Sequence, residues 1–265
     1  MRAATILALA ALAALAATAF AADDLSPPNF AERESGLQKS TFVDDGQAVM
    51  DINWTLDRSK KNGRTLIHRK VEATWFLEKE PIPWKEDHLM EIAPGGVLRT
   101  LTWKKDSYGD EQQTWEVVYD WKAMKVRHKW TDRKSGKIKE NTLDLDESVI
   151  TGESLELILR GFPFEKGEGY RIEARLLFNG ESFLNGHVIH RGEQTVETPL
   201  GKVAAYKLEL KPTGLKGRLA PTMYYYFTKS EPHLFVLLDG REAGPFKPRT
   251  KNVLTQYEPR DRLAP

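Results

Sequence analysis

The sequence predicts a mainly β protein: an antiparallel meander forming a curved sheet, an open half-barrel or a sandwich, with one short helix. Three observations carry this. Apolar residues recur at every second position through most of the chain, the mark of strands with one face on a core. Turn signals rich in Gly, Asn, Asp and Pro interrupt that alternation roughly every 8–12 residues. One stretch alone, around 146–160, changes to helical spacing.

The chain opens with Arg2, an apolar run Ala3–Ala17 and the small-x-small sequence Ala19-Phe20-Ala21. This is the layout of a secretory signal, with cleavage expected after Ala21 and a periplasmic destination. Residues 22–46 read as an irregular lead-in, with a helical turn near Ala31–Gly36. A single β-rich domain is expected over 47–258, followed by a loose tail at 259–265.

Within that domain, a Trp-rich lobe covers 47–145. Ala48, Met50, Ile52, Trp54 and Leu56 share one strand face, and Lys60–Gly63 is a turn because Asn and Gly accept positive φ. Thr65–Leu77 aligns Ile67, Val71, Ala73, Trp75 and Leu77. Pro81, Pro83 and Trp84 break the regularity. Val97, Leu101 and Trp103 line the next face, followed by Trp115, Val117, Tyr119 and Trp121, and then by Met124, Val126, His128 and Trp130. Asp132–Gly136 turns the chain into Lys137–Leu145. The helix is placed at 147–160, capped by Thr151 or Gly152 and ended by Gly161. A second lobe over 165–258 resumes the alternation. Its clearest feature is Glu193–Leu210, a hairpin turning at Pro199–Gly201, with Ala204, Tyr206, Leu208 and Leu210 on one side of the return arm.

Composition narrows the function. Lys plus Arg is 39 against Asp plus Glu 38, which gives no long-range attraction for nucleic acid. There is no cysteine, so disulfides, thiol chemistry and cysteine metal sites are excluded. No apolar run after the leader is long enough to span a membrane, so no stable membrane insertion is expected. His187 and His190 sit three apart on a strand and face opposite sides, so they cannot share a metal without a bulge. Asp144, Asp146 and Glu147 lack the glycine of a calcium loop and suit a strand end followed by a helix start. Gly152-Glu153-Ser154 and Gly180-Glu181-Ser182 lack the second glycine of a serine elbow. No catalytic residue, metal site or cofactor is therefore expected, and an enzyme is not.

The aromatic residues are the one feature with functional colour. They serve either as plain core, as the wall of a cavity for an apolar ligand, or as a sugar platform. The ligand-binding set is Trp54, Trp75, Trp103, Trp115, Tyr206 and Tyr225.

Four segments in fixed order, Tyr119–Leu145, Leu157–Tyr170, Gly192–Pro212 and Tyr224–Gly240, resemble the bacterial exported family called domain of unknown function 3108. The resemblance rests on a threonine-Pro-x-Gly turn, an Ala-Tyr-Lys-Leu strand, an aromatic strand and a Pro-His-Leu strand, and covers about Gln47–Tyr257. It implies a shape similar to the periplasmic lipoprotein carriers, whose open half-barrel shields an acyl chain beneath a helical lid. It transfers no catalytic residue. The expectation is a non-catalytic periplasmic protein that binds an apolar or lipid-like ligand or an envelope partner. The alternatives are a structural envelope protein with a filled core and a carbohydrate-binding module using exposed Trp.

Overall fold

The computed structural model describes residues 24–76, 80–109, 112–214, 221–241 and 248–260. The expected signal segment and residues 261–265 lie outside them. Fifteen strands follow the chain: β1 Arg33–Phe42, β2 Ala48–Lys61, β3 Arg64–Trp75, β4 Ile82–Ile92, β5 Leu98–Ser107, β6 Gln113–Asp120, β7 Lys125–Asp132, β8 Ile138–Asp144, β9 Val149–Thr151, β10 Arg171–Phe178, β11 Ser182–Thr198, β12 Gly201–Pro212, β13 Met223–Thr228, β14 Phe235–Arg241 and β15 Arg249–Arg260. They form one sheet in the order β8-β7-β6-β5-β4-β3-β2-β1-β15-β14-β13-β12-β11-β10-β9. All neighbours are antiparallel except β9 and β10.

β8 and β9 are consecutive in sequence but stand at opposite edges of the sheet. A short connection can join them only if the sheet rolls up. The roll goes past closure and becomes a scroll. On β10, Leu176 belongs to the main core, whereas Leu177 packs with Trp103, Val117, Tyr119 and Val126 in a second cluster. Adjacent strand residues point to opposite faces. The inner face of β5–β7 therefore lies on the outer face of β9–β10. Thr100 of β5 and Thr151 of β9 share a hydrogen bond of 2.7 Å at this seam. Gly180, in the turn between β10 and β11, has φ +66°, and a Cβ there would stand 2.7 Å from Val117 Cγ1. Only glycine fits both demands.

The centre of the scroll is filled by the segment that follows β9. A 3-10 turn Gly152–Ser154, the four-residue helix α1 Leu155–Ile158 and a second 3-10 turn Leu159–Gly161 run through it. Leu155, Leu157, Ile158, Leu159, Phe162 and Phe164 are all buried in the main core. Such a short helix is not stable alone; tertiary packing sustains it. Arg160 locks it in place. Its Nη1 lies 2.8 Å from Glu34 Oε2, and its Nη2 donates to Glu34 Oε1 at 3.1 Å. Two further bonds reach the carbonyl oxygens of Asn29 and Pro232. Below this plug, Leu25 and Phe30 close the core, and Ser26 N donates to Gly161 O at 2.8 Å.

Several expectations change. Residues 33–42 are the strand β1, at the middle of the sheet, and not an irregular lead-in with a helical turn. Its inner residues are Glu34, Gly36, Gln38 and Ser40, so polar and small side chains hid the strand. Gly36 is small because the Trp54 ring lies against it, 2.7 Å from where a Cβ would be. Pro83 and Trp84 belong to β4 and do not break it, because Pro stands near the start of the strand. The expected helix at 147–160 begins with a short parallel strand, β9, and only its second half is helical. Ser182–His190 and the outgoing arm of the hairpin are one strand, β11, whose register shifts between His190 and Glu193. Pro259 and Arg260 extend β15 into the expected tail.

Candidate functional site: a polar-walled cavity beside the plug

Packing of the plug against the sheet leaves a cavity of about 260 Å³. Strands β1–β4 and β13–β15 form its wall on one side and residues 152–156 on the other. Its apolar lining includes Ile52, Val71, Trp84, Leu155, Tyr225 and Phe235. Its polar lining is Gln38, Arg69, Glu86, Glu153, Glu156 and Asn252.

Strand periodicity explains why these side chains converge. Arg69 stands between Ile67 and Val71 on the inner face of β3, and Glu86 and His88 are inner residues of β4. Charges are costly in such positions unless paired, and here each finds a partner. Arg69 binds Glu156 of the plug. Glu86 Oε2 accepts from His88 Nε2 at 2.9 Å and from Trp103 Nε1 at 3.3 Å, while Lys105 Nζ stands 3.5 Å from Oε1. Burial opposes the Glu86 charge, yet the hydrogen bond from His88 and the nearby Lys105 and Arg69 hold its carboxyl well below the usual range. Burial pushes the His88 imidazole down, against the pull of Glu86. Its hydrogen bond with Glu86 then assigns the proton to Nε2.

Glu153 is different. It accepts from Asn179 N and, at 3.4 Å, from Tyr119 Oη. Burial raises its pKa from 4.5 to about 7, with the charge of Glu86 adding to the rise. Around the cavity, Arg69 Nε, Trp84 Nε1, His88 Nδ1 and Asn252 Oδ1 are buried without a hydrogen-bond partner among the described residues. Orphaned polar atoms of this kind favour an occupant with hydrogen-bonding groups of its own. The carboxylates are already tied to cations or donors. The site thus presents fixed dipoles and paired charges, an arrangement suited to holding a molecule.

The expected ligand-binding residues do not converge. Tyr225 lines the cavity. Trp54 is buried against Gly36, its ring 6.4 Å from Tyr257. Trp103 lies in the seam of the scroll. Trp75 ends β3, half-buried, between Met50 and Ile82. Trp115 is half-buried beside the second cluster. Tyr206, on the return arm of the hairpin, stacks on Phe164 with ring centres 4.5 Å apart. Sequence reasoning missed Arg69, Glu86, Glu153 and Trp84. The signal for the first two was present: a charge at an inner position of an otherwise apolar strand face. The acids of 144–147 are bound by Lys125, Arg175 and Arg99. No group of three potential metal ligands occurs among the described residues. No helix there is long and apolar enough to cross a membrane.

The family model described as "Protein of unknown function (DUF3108)" matches residues 49–243. No curated protein matches the chain. Among solved structures, the chain is similar to a β-barrel-like protein of domain of unknown function DUF1849 from Brucella abortus. The two are 10% identical with a TM-score of 0.54, over 88% of this chain and 99% of that one. An exported protein from Bacteroides fragilis described as having a YmcC-like fold aligns at 8% identity and a TM-score of 0.39, over 89% of this chain and 99% of that one. A lipoprotein from Parabacteroides distasonis aligns at 10% identity and a TM-score of 0.32, over 88% and 97%. The first shows a shared fold; the other two are too distant in shape to argue from.

Proposed function

The chain belongs to the family of unknown function DUF3108, and from that premise we propose that it is a non-catalytic binding protein of the cell envelope, holding a compact ligand between plug and sheet. The observation that carries this is the cavity itself, a partly open apolar and aromatic cleft set with buried polar atoms that lack partners among the described residues. Binding pockets combine those two properties. Its volume, about 260 Å³, lies just below the roughly 300–1,000 Å³ of common small-molecule sites. The ligand is therefore small, with an apolar body and a polar end. A long acyl chain would need the space that Leu157, Ile158 and Leu159 fill, so a lipid enters only if the plug leaves. The signal-like start of the chain supports an envelope address.

Native mass spectrometry of protein purified from its own host tests this. The expected spectrum shows a small adduct that organic extraction removes. The extracted protein then gains thermal stability with a compact probe such as indole, and Leu155→Trp, which fills the cavity, loses that gain. A bare polypeptide mass with no saturable stabilisation by indole or octanoate would end the proposal.

A further inference from the structure

The overlap of the scroll stops short of the rim. Gly180 marks the end of β10–β11 beneath the inner pair Val117 and His128. The next inner pair outward is Trp115 and Trp130, directly opposite each other on β6 and β7. The same register line runs on through Lys105 of β5 and Lys139 of β8. Lys105, Trp115, Trp130 and Lys139 thus form one row across four strands, on the concave face and just past the covered part. Both indoles are half-buried. Opposed residues on one sheet face stand close enough to present a joint surface.

The cations are held at the rings. Lys105 Nζ lies 4.4 Å from the centre of Trp84 and 5.8 Å from that of Trp115. Lys139 Nζ lies 5.0 Å over Trp130. Lys105 shares Glu86 at 3.5 Å, whereas Lys139 makes no salt bridge among the described residues. Trp130 Nε1 donates to Gln113 Oε1 at 3.4 Å, which turns an amide toward the ledge.

We propose that this row is a binding ledge for an anionic saccharide. The C–H faces of a pyranose ring are apolar and electron-poor, and they stack on an indole face. A carboxylate or phosphate on the sugar pairs with an ammonium already placed beside the ring, and Gln113 offers a hydrogen-bonding partner to hydroxyls. A purely apolar ligand leaves the two ammonium groups unused. Nucleic acid needs a continuous basic track, which the near-neutral chain does not supply. The two indoles and Lys139 lie outside the cavity beside the plug, and only Lys105, which meets Trp84 and Glu86, touches both sites, so Trp130 and Lys139 test the ledge separately from the cavity.

Tryptophan fluorescence and calorimetry with three probes decide the matter: an oligogalacturonate for the carboxylate source, glucose 6-phosphate for the phosphate source, and maltohexaose as the neutral control. The expected result is saturable binding of at least one acidic probe, weakening with added salt, and none of maltohexaose. Lys139→Gln and Trp130→Ala each weaken it by about tenfold or more, while Leu155→Trp leaves it unchanged. Lys139 is exposed, so K139Q decides the question even where W130A does not fold. Equal binding of maltohexaose, unaltered affinity in K139Q, or no saturable response to either acidic probe would each overturn the proposal.

Discussion

Removing Arg160 gives the sharpest test of how the plug is held. The Arg160 and Glu34 side chains are 1% and 0% exposed. The guanidinium donates twice to the carboxylate and once each to Asn29 O and Pro232 O. In Arg160→Met, Glu34 keeps only the bond from Ala31 N and becomes a buried, uncompensated charge, which costs about 3–5 kcal/mol. Glu34→Met strands the guanidinium at a similar cost. The double variant strands neither charge. It still leaves the carbonyl groups of Asn29 and Pro232 unsatisfied, a loss that Arg160→Met already carries, so it should be no worse than that single change. The two costs then fail to add by about 3 kcal/mol or more. Urea unfolding followed by tryptophan fluorescence measures the whole cycle. Additive losses would mean that the pair does not hold the plug to β1.

The other predictions bear on the seam, the core and pH. Glu153 keeps its proton up to about pH 7 in the folded protein, against 4.5 as its ordinary value. Its contribution to stability is therefore complete below about pH 4.5 and is lost as pH rises through 7. Glu153→Gln should gain on the natural protein steadily across that window, and a urea-midpoint difference that stays constant from about pH 5 to 8 would show that Glu153 ionises normally. Glu86, held low, works the other way: its contribution is present above about pH 4.5 and disappears as pH falls below that. Gly180→Val places a β-branched residue at φ +66° against Val117 and His128, and strain with overpacking should cost about 2–4 kcal/mol; a melting temperature equal to that of the natural protein would mean that the seam is not closed. Leu159→Ala empties a fully buried site in the plug and should cost about 2–5 kcal/mol in the same urea assay; a loss under 1 kcal/mol would show the plug loosely packed.

How far the sequence disclosed all this depends on which physical signal each part leaves. Alternation is local, so strands such as β3 and β6 could be read directly, and Asn62-Gly63 was legible because both residues take positive φ. β1 left no such mark. Its inner face is polar because Glu34 answers Arg160, 126 residues later, and a partner that distant cannot be inferred from periodicity. The helix at 152–161 was legible as leucine-rich, but its burial on every side was not, since that depends on the sheet rolling past closure. The scatter of the expected ligand set has a related cause. Large aromatics serve seam, core and rim alike, and their composition does not separate Trp103 at the seam from Trp115 near the rim. The more telling residues were charges on apolar faces, Arg69 and Glu86.

Hydrogen exchange at the plug tests most directly whether the scroll stays filled. Leu155 N donates to Gly152 O and Leu159 N to Leu155 O inside the core, so these two amides can exchange only when the sheet opens. They should exchange at the rate of global unfolding, among the slowest in the protein, and slow further when a compact ligand is bound. Exchange within minutes, at the pace of the exposed edge strand β8, would mean that the plug leaves its seat readily and that the interior is an open carrier.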